Sequence, residues 1–416
     1  MKRRIICHAS ELVTCRGDGP KRGKEMQNIG IIKDGAVIIH DDRIVAVGTT
    51  DELLAIIDES EYEVIDAAGK AVLPGFVDSH THFVFGGYRA DEFSWRLRGD
   101  SYMSIMERGG GINASVSKTR EASLEELIDA GEKRLWQMIE FGVTTVEGKS
   151  GYGLDKETEL KQLRAMKALN ERHPMSIVPT FLGPHSVLPE YKGRERAFIE
   201  KMLTEVMPIV KEEGLAEFAD IFCEKNVFSV EDSRYYLEEA KKMGFSLKIH
   251  ADEMVQLGGA ELAAETGAVS ADHLLQASDE GIRSMAEKGV ISTILPGTAF
   301  CLKEDYARAR FMIEQGSAVA IATDWNPGSC FTNSIPLLIA LACIYMGLSI
   351  EEVIAGLTIN GAAAVKRDHE VGSIQEGKKA DIIFLRYPSI QFLPYHTGVN
   401  LVETVMKDGQ IVFSKK

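Results

Sequence analysis

The stretch Ala71-Val72-Leu73-Pro74-Gly75-Phe76-Val77-Asp78-Ser79-His80-Thr81-His82 runs from apolar to polar and ends on two histidines. Its apolar part reads as a buried strand. Side chains alternate faces along a strand, so His80 and His82 project together from its tip. Two imidazoles held in that way can grip one divalent cation with little backbone freedom left to lose. Two histidines in a polar loop is the plainer alternative, and it weakens as the rest of the chain is read.

Outward from this stretch, strand and helix signals alternate. Apolar runs at 72–77, 144–146, 176–181, 218–222, 246–249, 268–271, 290–295 and 319–322 are separated by helical stretches such as 124–141, 156–172, 233–243 and 258–266. Eight runs with crossover helices predict an α/β fold, a TIM-like (β/α)8 barrel over residues 71–369. The two ends differ from this middle. Short β-like runs at 4–7, 36–40, 43–47 and 63–66 are matched by runs at 381–385, 401–406 and 410–413. Asp41-Asp42 and Lys407-Asp408-Gly409 supply hairpin turns. Neither end is long enough to bury a core alone, so residues 1–70 and 370–416 are expected to form one small composite β-sandwich domain.

The 416 residues are 45% hydrophobic and 26% charged, an ordinary globular composition. The formal net charge is -15, with no basic stripe. That argues against nucleic acid and anionic membrane as partners, and it leaves room for a small anionic substrate in a locally positive pocket. Cys7, Cys15, Cys223, Cys301, Cys330 and Cys343 form no Cys-x-x-Cys pair and read as free thiols in a reducing compartment. Basic Lys2, Arg3 and Arg4 precede only Ile5-Ile6-Cys7, too short for a signal-peptide core. No run approaches the ~18 apolar residues of a membrane span. The expected location is cytoplasmic.

Of the ten histidines, His80, His82, His185, His250 and His273 fall at the ends of apolar runs. In a barrel of this kind, function sits at the carboxyl ends of the strands. His80, His82, His250 and Asp324 offer three imidazoles and one carboxylate, a set that suits zinc or ferrous iron with a position left for water. Such an ion lowers the pKa of bound water from ~15.7 to about 7. Glu253 follows His250 by three residues and is placed to shuttle a proton between water and a substrate nitrogen. A glutamate at a helix start is the plainer reading, and it fits Asp252 better. His273 can orient the nucleophile or stabilise an oxyanion. Asp324, His273 and Glu253 all remain open as the first acceptor of the water proton.

The signature from Pro74 to His82, with His250, His273 and Thr323-Asp324, resembles the amidohydrolase superfamily. The resemblance implies a distorted (β/α)8 barrel with a β-sandwich built from both chain ends. Longer stretches extend it: Phe85-Gly86-Gly87-Tyr88-Arg89, Gly109-Gly110-Gly111-Ile112, Lys149-Ser150-Gly151-Tyr152-Gly153-Leu154, residues 156–164, residues 248–253, residues 257–263 and Asp324-Trp325-Asn326-Pro327-Gly328-Ser329. These are similar to the branch that hydrolyses 4-imidazolone-5-propanoate to N-formimidoyl-L-glutamate in histidine breakdown. That similarity implies substrate contacts at Arg89, Tyr152, His185, Glu253, Asn326, Gly328 and Ser329, and a homodimer. One divalent metal per chain, zinc or iron, is expected.

Arg89 is then the expected partner of the substrate carboxylate. Tyr152, in a Gly-flanked loop, is a candidate lid. The run Gly109 to Gly111 offers either backbone N–H groups to a ligand or a tight turn. Proline at Pro184 and tryptophan at Trp325 depart from the commonest pattern, and neither removes a ligand. A cytosine-deaminase-like aminohydrolase would share His80, His82, His250, Glu253, His273 and Asp324, but a neutral nucleobase needs no carboxylate clamp. A two-metal variant needs a bridging carbamylated lysine. Lys225 is one residue off that position and Lys149 is in the wrong strand, so one metal is favoured. A non-catalytic barrel should have lost some of these groups, and all are filled.

Overall fold

A computed structural model of the chain describes residues 2–100, 104, 108 and 110–415. Gly109 of the glycine run lies outside the described residues. Eight parallel strands follow in chain order around the barrel: Phe76–Asp78, Val143–Lys149, Ser176–Phe181, Phe218–Ala219, Ser246–Ala251, Ser270–His273, Ile291–Ile294 and Val319–Ile321. Each pairs with the next. The seam between the last and the first is closed beyond the strand ends. There Thr81 bridges Trp325, the Asp324 N–H donates to the His80 carbonyl at 2.9 Å, and the His82 N–H donates to the Trp325 carbonyl at 2.9 Å. The segments carrying His80, His82 and Asp324 are therefore stitched together by backbone alone.

Helices cover the barrel where the sequence offers a cap and an apolar face. Leu124–Glu140 starts at Ser123 in a capping box with Glu126, and it buries Leu127, Leu135 and Met138. Lys156–Arg172 starts at Asp155, whose carboxylate accepts the Thr158 N–H, and it buries Leu163, Met166 and Leu169.

Two apolar runs turn out to be divided. Within 72–77, Ala71–Pro74 pairs antiparallel with Ile382–Leu385 in a terminal sheet, and only Phe76–Asp78 belongs to the barrel. Gly75 is the crossing point. Its N–H donates to Asp381 while that of Phe76 donates to Gly142, and a Cβ on Gly75 would stand 2.3 Å from Thr144 Oγ1. Only glycine fits where the chain leaves one sheet for the other. Within 218–222, Phe218–Ala219 and Phe222–Cys223 both pair with Ser246–Ala251, and Asp220 interrupts them. Asp220 leaves the ladder to meet Lys149 inside the barrel at 2.7 Å.

The chain ends form two sheets. One has four strands in the order Arg43–Thr49, Gly35–His40, Arg3–Ala9, Glu63–Asp66. The other has six, in the order Gln410–Ser414, Val402–Lys407, Ile382–Leu385, Ala71–Pro74, Glu11–Val13, Ile31–Ile32. Ile6, Val37 and Ile39 of the first sheet share a buried cluster with Val72, Ile382 and Phe384 of the second. The last hairpin turns on Asp408 and Gly409, both at positive φ (48° and 71°), as a two-residue turn between right-twisted strands requires. Among the described residues, no helix is long and apolar enough to cross a membrane.

Candidate active site

The carboxyl ends of the barrel strands open into a cavity of about 500 Å³. His82, His250, His273, Glu253 and Asp324 face it on one side, and Arg89, Glu92 and Arg96 on another. Asp252, His273 and Asp324 all stand at positive φ (49°, 79° and 51°), where the chain turns sharply off a strand. Such backbone is costly for residues other than glycine, and it clusters where side chains must be aimed.

His80, His82 and Asp324 come together, and His250 lies beside both His80 and His82, with ring centroids 4.6 Å and 5.8 Å away. His80 Nε2 and His82 Nε2 lie 3.5 Å and 3.6 Å from the same oxygen, Asp324 Oδ1. The other oxygen of Asp324 accepts the Thr298 hydroxyl at 2.6 Å. One ligand atom from each of His80, His82 and Asp324 lies within 4.8 Å of the others, and the same holds for His80, His250 and His273. Two metal bonds of ~2.1 Å allow ligand atoms up to ~4.2 Å apart, so small side-chain rotations suffice. The fit to a cation rests on orphaned atoms. His80 Nε2, His82 Nδ1 and His250 Nε2 are buried without any hydrogen-bond partner. Unpaired buried acceptors are rare unless something else satisfies them.

Two of the imidazoles have backing. His80 Nδ1 pairs with Asp272 at 2.6 Å, which leaves its Nε2 lone pair for a ligand. His250 Nδ1 faces Asp220 at 3.0 Å. Burial first, and then neighbouring cationic groups such as Lys149, hold His80 well below its ordinary pKa. Burial and His185 do the same for His82. Neutral imidazole is the form that binds metal. Burial pushes Asp324 up to about 6 in spite of the Thr298 hydroxyl.

Beneath this group lies a fully buried set of charges. Lys149 Nζ reaches Glu147 at 3.0 Å and Asp220 at 2.7 Å, and Lys248 Nζ reaches Glu147 at 3.3 Å and Asp272 at 3.5 Å. Against the effect of burial, Asp220, Glu147 and Asp272 hold the Lys149 pKa well above the ordinary lysine value. An ammonium held in this way is not a free amine for carbamylation, and Lys225 is exposed.

Glu253 stands 3.6 Å from His273 Nδ1. Burial, with the negative Asp324, Glu224 and Glu304 nearby, pushes its pKa up to about 8. Asp252 is an anchor instead. Its carboxylate accepts the N–H groups of Leu257, Gly258, Gly259 and Ala260 at 2.8–3.2 Å, where the helix Gly259–Thr266 begins. Asp252→Ala would leave these donors unpaired and is expected to lower the unfolding free energy by about 3 kcal/mol, measured by urea denaturation.

The remaining candidates are placed as follows. Tyr152 is buried wall rather than lid, 5.6 Å from His82 and 5.2 Å from His185 between ring centroids. His185 stacks on His82 at 4.9 Å, and its Nδ1 pairs with the Gly151 carbonyl at 2.9 Å. The Asn326 side chain is spent within its own loop. It accepts the N–H groups of Gly328 and Ser329 at 2.8 Å and donates to the Asp324 carbonyl at 2.8 Å. A Cβ on Gly328 would stand 2.2 Å from a terminal nitrogen of Arg89. Arg89 itself is already held, its Nε donating to Glu92 at 2.8 Å and a terminal nitrogen to the second Glu92 oxygen. Glu92 also accepts the Gly111 N–H at 2.8 Å, so that glycine serves the clamp. The sequence reading passed over Glu92 and Arg96. Trp325 is buried and packs on Phe331 at 5.7 Å, away from the ligand cluster.

Comparison with known proteins agrees with this geometry. Residues 71–412 match the amidohydrolase family, and residues 35–55 match an imidazolonepropionase-like composite domain of bacteria. The chain is 60% identical over 411 residues to an imidazolonepropionase of Clostridium tetani, covering 99% of this chain and 98% of that one. It is 58% identical over 407 residues to an imidazolonepropionase of Parabacteroides distasonis, covering 98% of each. Among solved structures, the fold is similar to Escherichia coli guanine deaminase (TM-score 0.72, 15% identity, 99% of this chain and 100% of that one). It is also similar to a zinc-bound adenosine deaminase from Xanthomonas campestris (TM-score 0.70, 17% identity, 98% and 92%).

Proposed function

Because the chain belongs to the amidohydrolase family and, within it, to the imidazolonepropionases, we propose that the cluster at the barrel mouth carries out the hydrolysis of 4-imidazolone-5-propanoate. Water adds across the ring C–N bond. Its oxygen joins the carbonyl carbon, a proton goes to the released nitrogen, and N-formimidoyl-L-glutamate results, a step in histidine degradation.

His80, His82, His250 and Asp324 would hold one divalent cation, zinc or iron. When bound, such an ion supplies Lewis-acid polarisation and makes water acidic enough to attack near neutral pH. Glu253 takes a proton from the attacking water and returns it to the leaving nitrogen. Its buried carboxyl, with a pKa near 8, has both forms within reach at neutral pH. His273, next to Glu253, is placed to donate to the oxygen on which charge develops. Asp324, pushed up to about 6, is an alternative first acceptor of the water proton. Tyr152 and His185 wall the ring side of the pocket against solvent, and the arginine side receives the propanoate.

The observation that carries this reading is the set of buried ring nitrogens on His80, His82 and His250 with no hydrogen-bond partner among the described residues, grouped at a cavity that His82, His250, Glu253 and two guanidinium groups line. Arg89 is matched by Glu92, and a neutral nucleobase would bring no counter-charge for Arg96. The test is loss of imidazolonepropanoate by the purified protein before and after chelation. Activity should vanish on chelation and return with zinc or ferrous iron. Full activity after exhaustive metal removal would contradict the reading.

The proposal extends to a cytoplasmic enzyme, supported by six free cysteines. It excludes nucleic acid and membrane as partners, which the net charge of -15 supports. It also includes a homodimer, to be tested by light scattering for about twice 45.8 kDa.

A further inference from the structure

We propose that Arg96 is a second determinant of substrate specificity, the free positive charge that selects a carboxylate tail. This rests on the activity proposed above and deepens it. The argument begins with charge in the arginine wall. Arg89 gives both sides of its fork to Glu92, so its charge is already matched within the protein. Glu92 is buried, and a third donor, the Gly111 N–H, completes its contacts. Arg96 lies on the same cavity but pairs with no carboxylate among the described residues. Glu92 is taken by Arg89, and Asp100 by Arg108 at 2.8 Å.

Arg96 is nonetheless held in place. One terminal nitrogen donates to the Gly328 carbonyl at 3.0 Å, and the guanidinium stacks over Phe93 at 5.2 Å. Its Nε is buried and finds no partner among the described residues. Among the described residues, Arg89, Glu92 and Arg96 together carry one net positive charge on this wall, in a protein of net charge -15. For a half-buried cation whose buried Nε finds no partner among the described residues, an anionic ligand is favourable. A monocarboxylate tail meets that need, whereas an uncharged tail of the same size leaves it unmet. Specificity of this kind arises because the wrong ligand strands a polar group. Arg89 then serves as the positioned rim of the clamp, and Arg96 as its selective element.

The experiment compares two substrates, imidazolonepropanoate and its carboxamide, in the metal-loaded protein and its R96Q variant. The expected result is a KM for the anionic substrate raised about tenfold or more, kcat within about threefold, and unchanged constants for the carboxamide. Equal losses on both substrates would mean a structural role and overturn the inference. So would an unchanged KM for the anion. If R96Q does not fold, R96M is read in its place. It keeps the apolar stem and loses the charge, so a raised KM confined to the anion supports the inference and a wild-type KM overturns it. An unsubstituted chain that turns over neither compound removes the activity reading itself. An active chain indifferent to Arg96 removes only this inference.

Discussion

Glu253→Gln is expected to lower kcat by about a thousandfold while leaving the protein folded and its metal content unchanged, since positioned proton transfer contributes roughly 10²–10⁴ in rate. Glutamine keeps the size and the polarity of the side chain but cannot accept and return a proton. Steady-state kinetics together with metal analysis of the same sample reads both halves of this expectation. The wild-type pH profile should carry the same signature. Without a cation, burial and the nearby Asp324 keep the proton on Glu253 up to about pH 8. The basic form therefore grows as pH rises through that value, so the rate of a step needing the base climbs with pH and then levels. A bound cation draws the carboxyl toward ionisation and moves that rise to lower pH. In the Gln variant the rise should vanish. A profile that keeps its rise in the Gln variant would assign the base to another group, Asp324 or His273.

The second large effect is expected at Asp324. Asp324→Ala should empty the site and reduce activity by at least about a thousandfold. The carboxylate faces both His80 and His82 through one oxygen, and Thr298 holds the other. Removing it deletes the only anionic member of the proposed ligand set. Burial, and after it Lys149 and the neighbouring imidazoles, disfavours a positive charge on His80. Metal analysis after dialysis should give far less than one ion per chain, whereas Thr298→Val, which removes only the supporting hydroxyl, should lose metal affinity by about tenfold. Full metal content in Asp324→Ala would remove Asp324 from the set.

Much of this arrangement could be read from residue order because barrel folding turns strand ends into a site. His80 and His82 lie two residues apart on an extended segment, and backbone pairing with Trp325 then fixes that segment against Asp324. What could not be read lay across the sequence. Asp272 supports His80 from 192 positions away, and Asp220 supports His250 from the fourth strand. Asp220 did leave a signal, since an acid within an apolar run must find a buried partner. The same is true of Glu147, Lys149 and Lys248, charged residues set into strands that are otherwise apolar. The arginine wall was also within reach. Arg89, Glu92 and Arg96 follow at i, i+3 and i+7 around the helix Ala90–Leu97, the spacing of one helix face. Arg89 was read alone, so neither its pairing with Glu92 nor the free charge of Arg96 was seen. The division of residues 72–77 between two sheets was hidden because both halves are buried and apolar. The different backbone pairings of the two halves and the close approach of Thr144 to Gly75 reveal it.

The most direct test of the central claim is anomalous diffraction from crystals of the metal-loaded protein, collected at the zinc and iron edges. One peak per chain, bonded at about 2.0–2.2 Å to ring nitrogens of His80, His82 and His250 and to Asp324 Oδ1, is the predicted result. Two peaks joined by a modified lysine, or a single ion held by other residues, would contradict it.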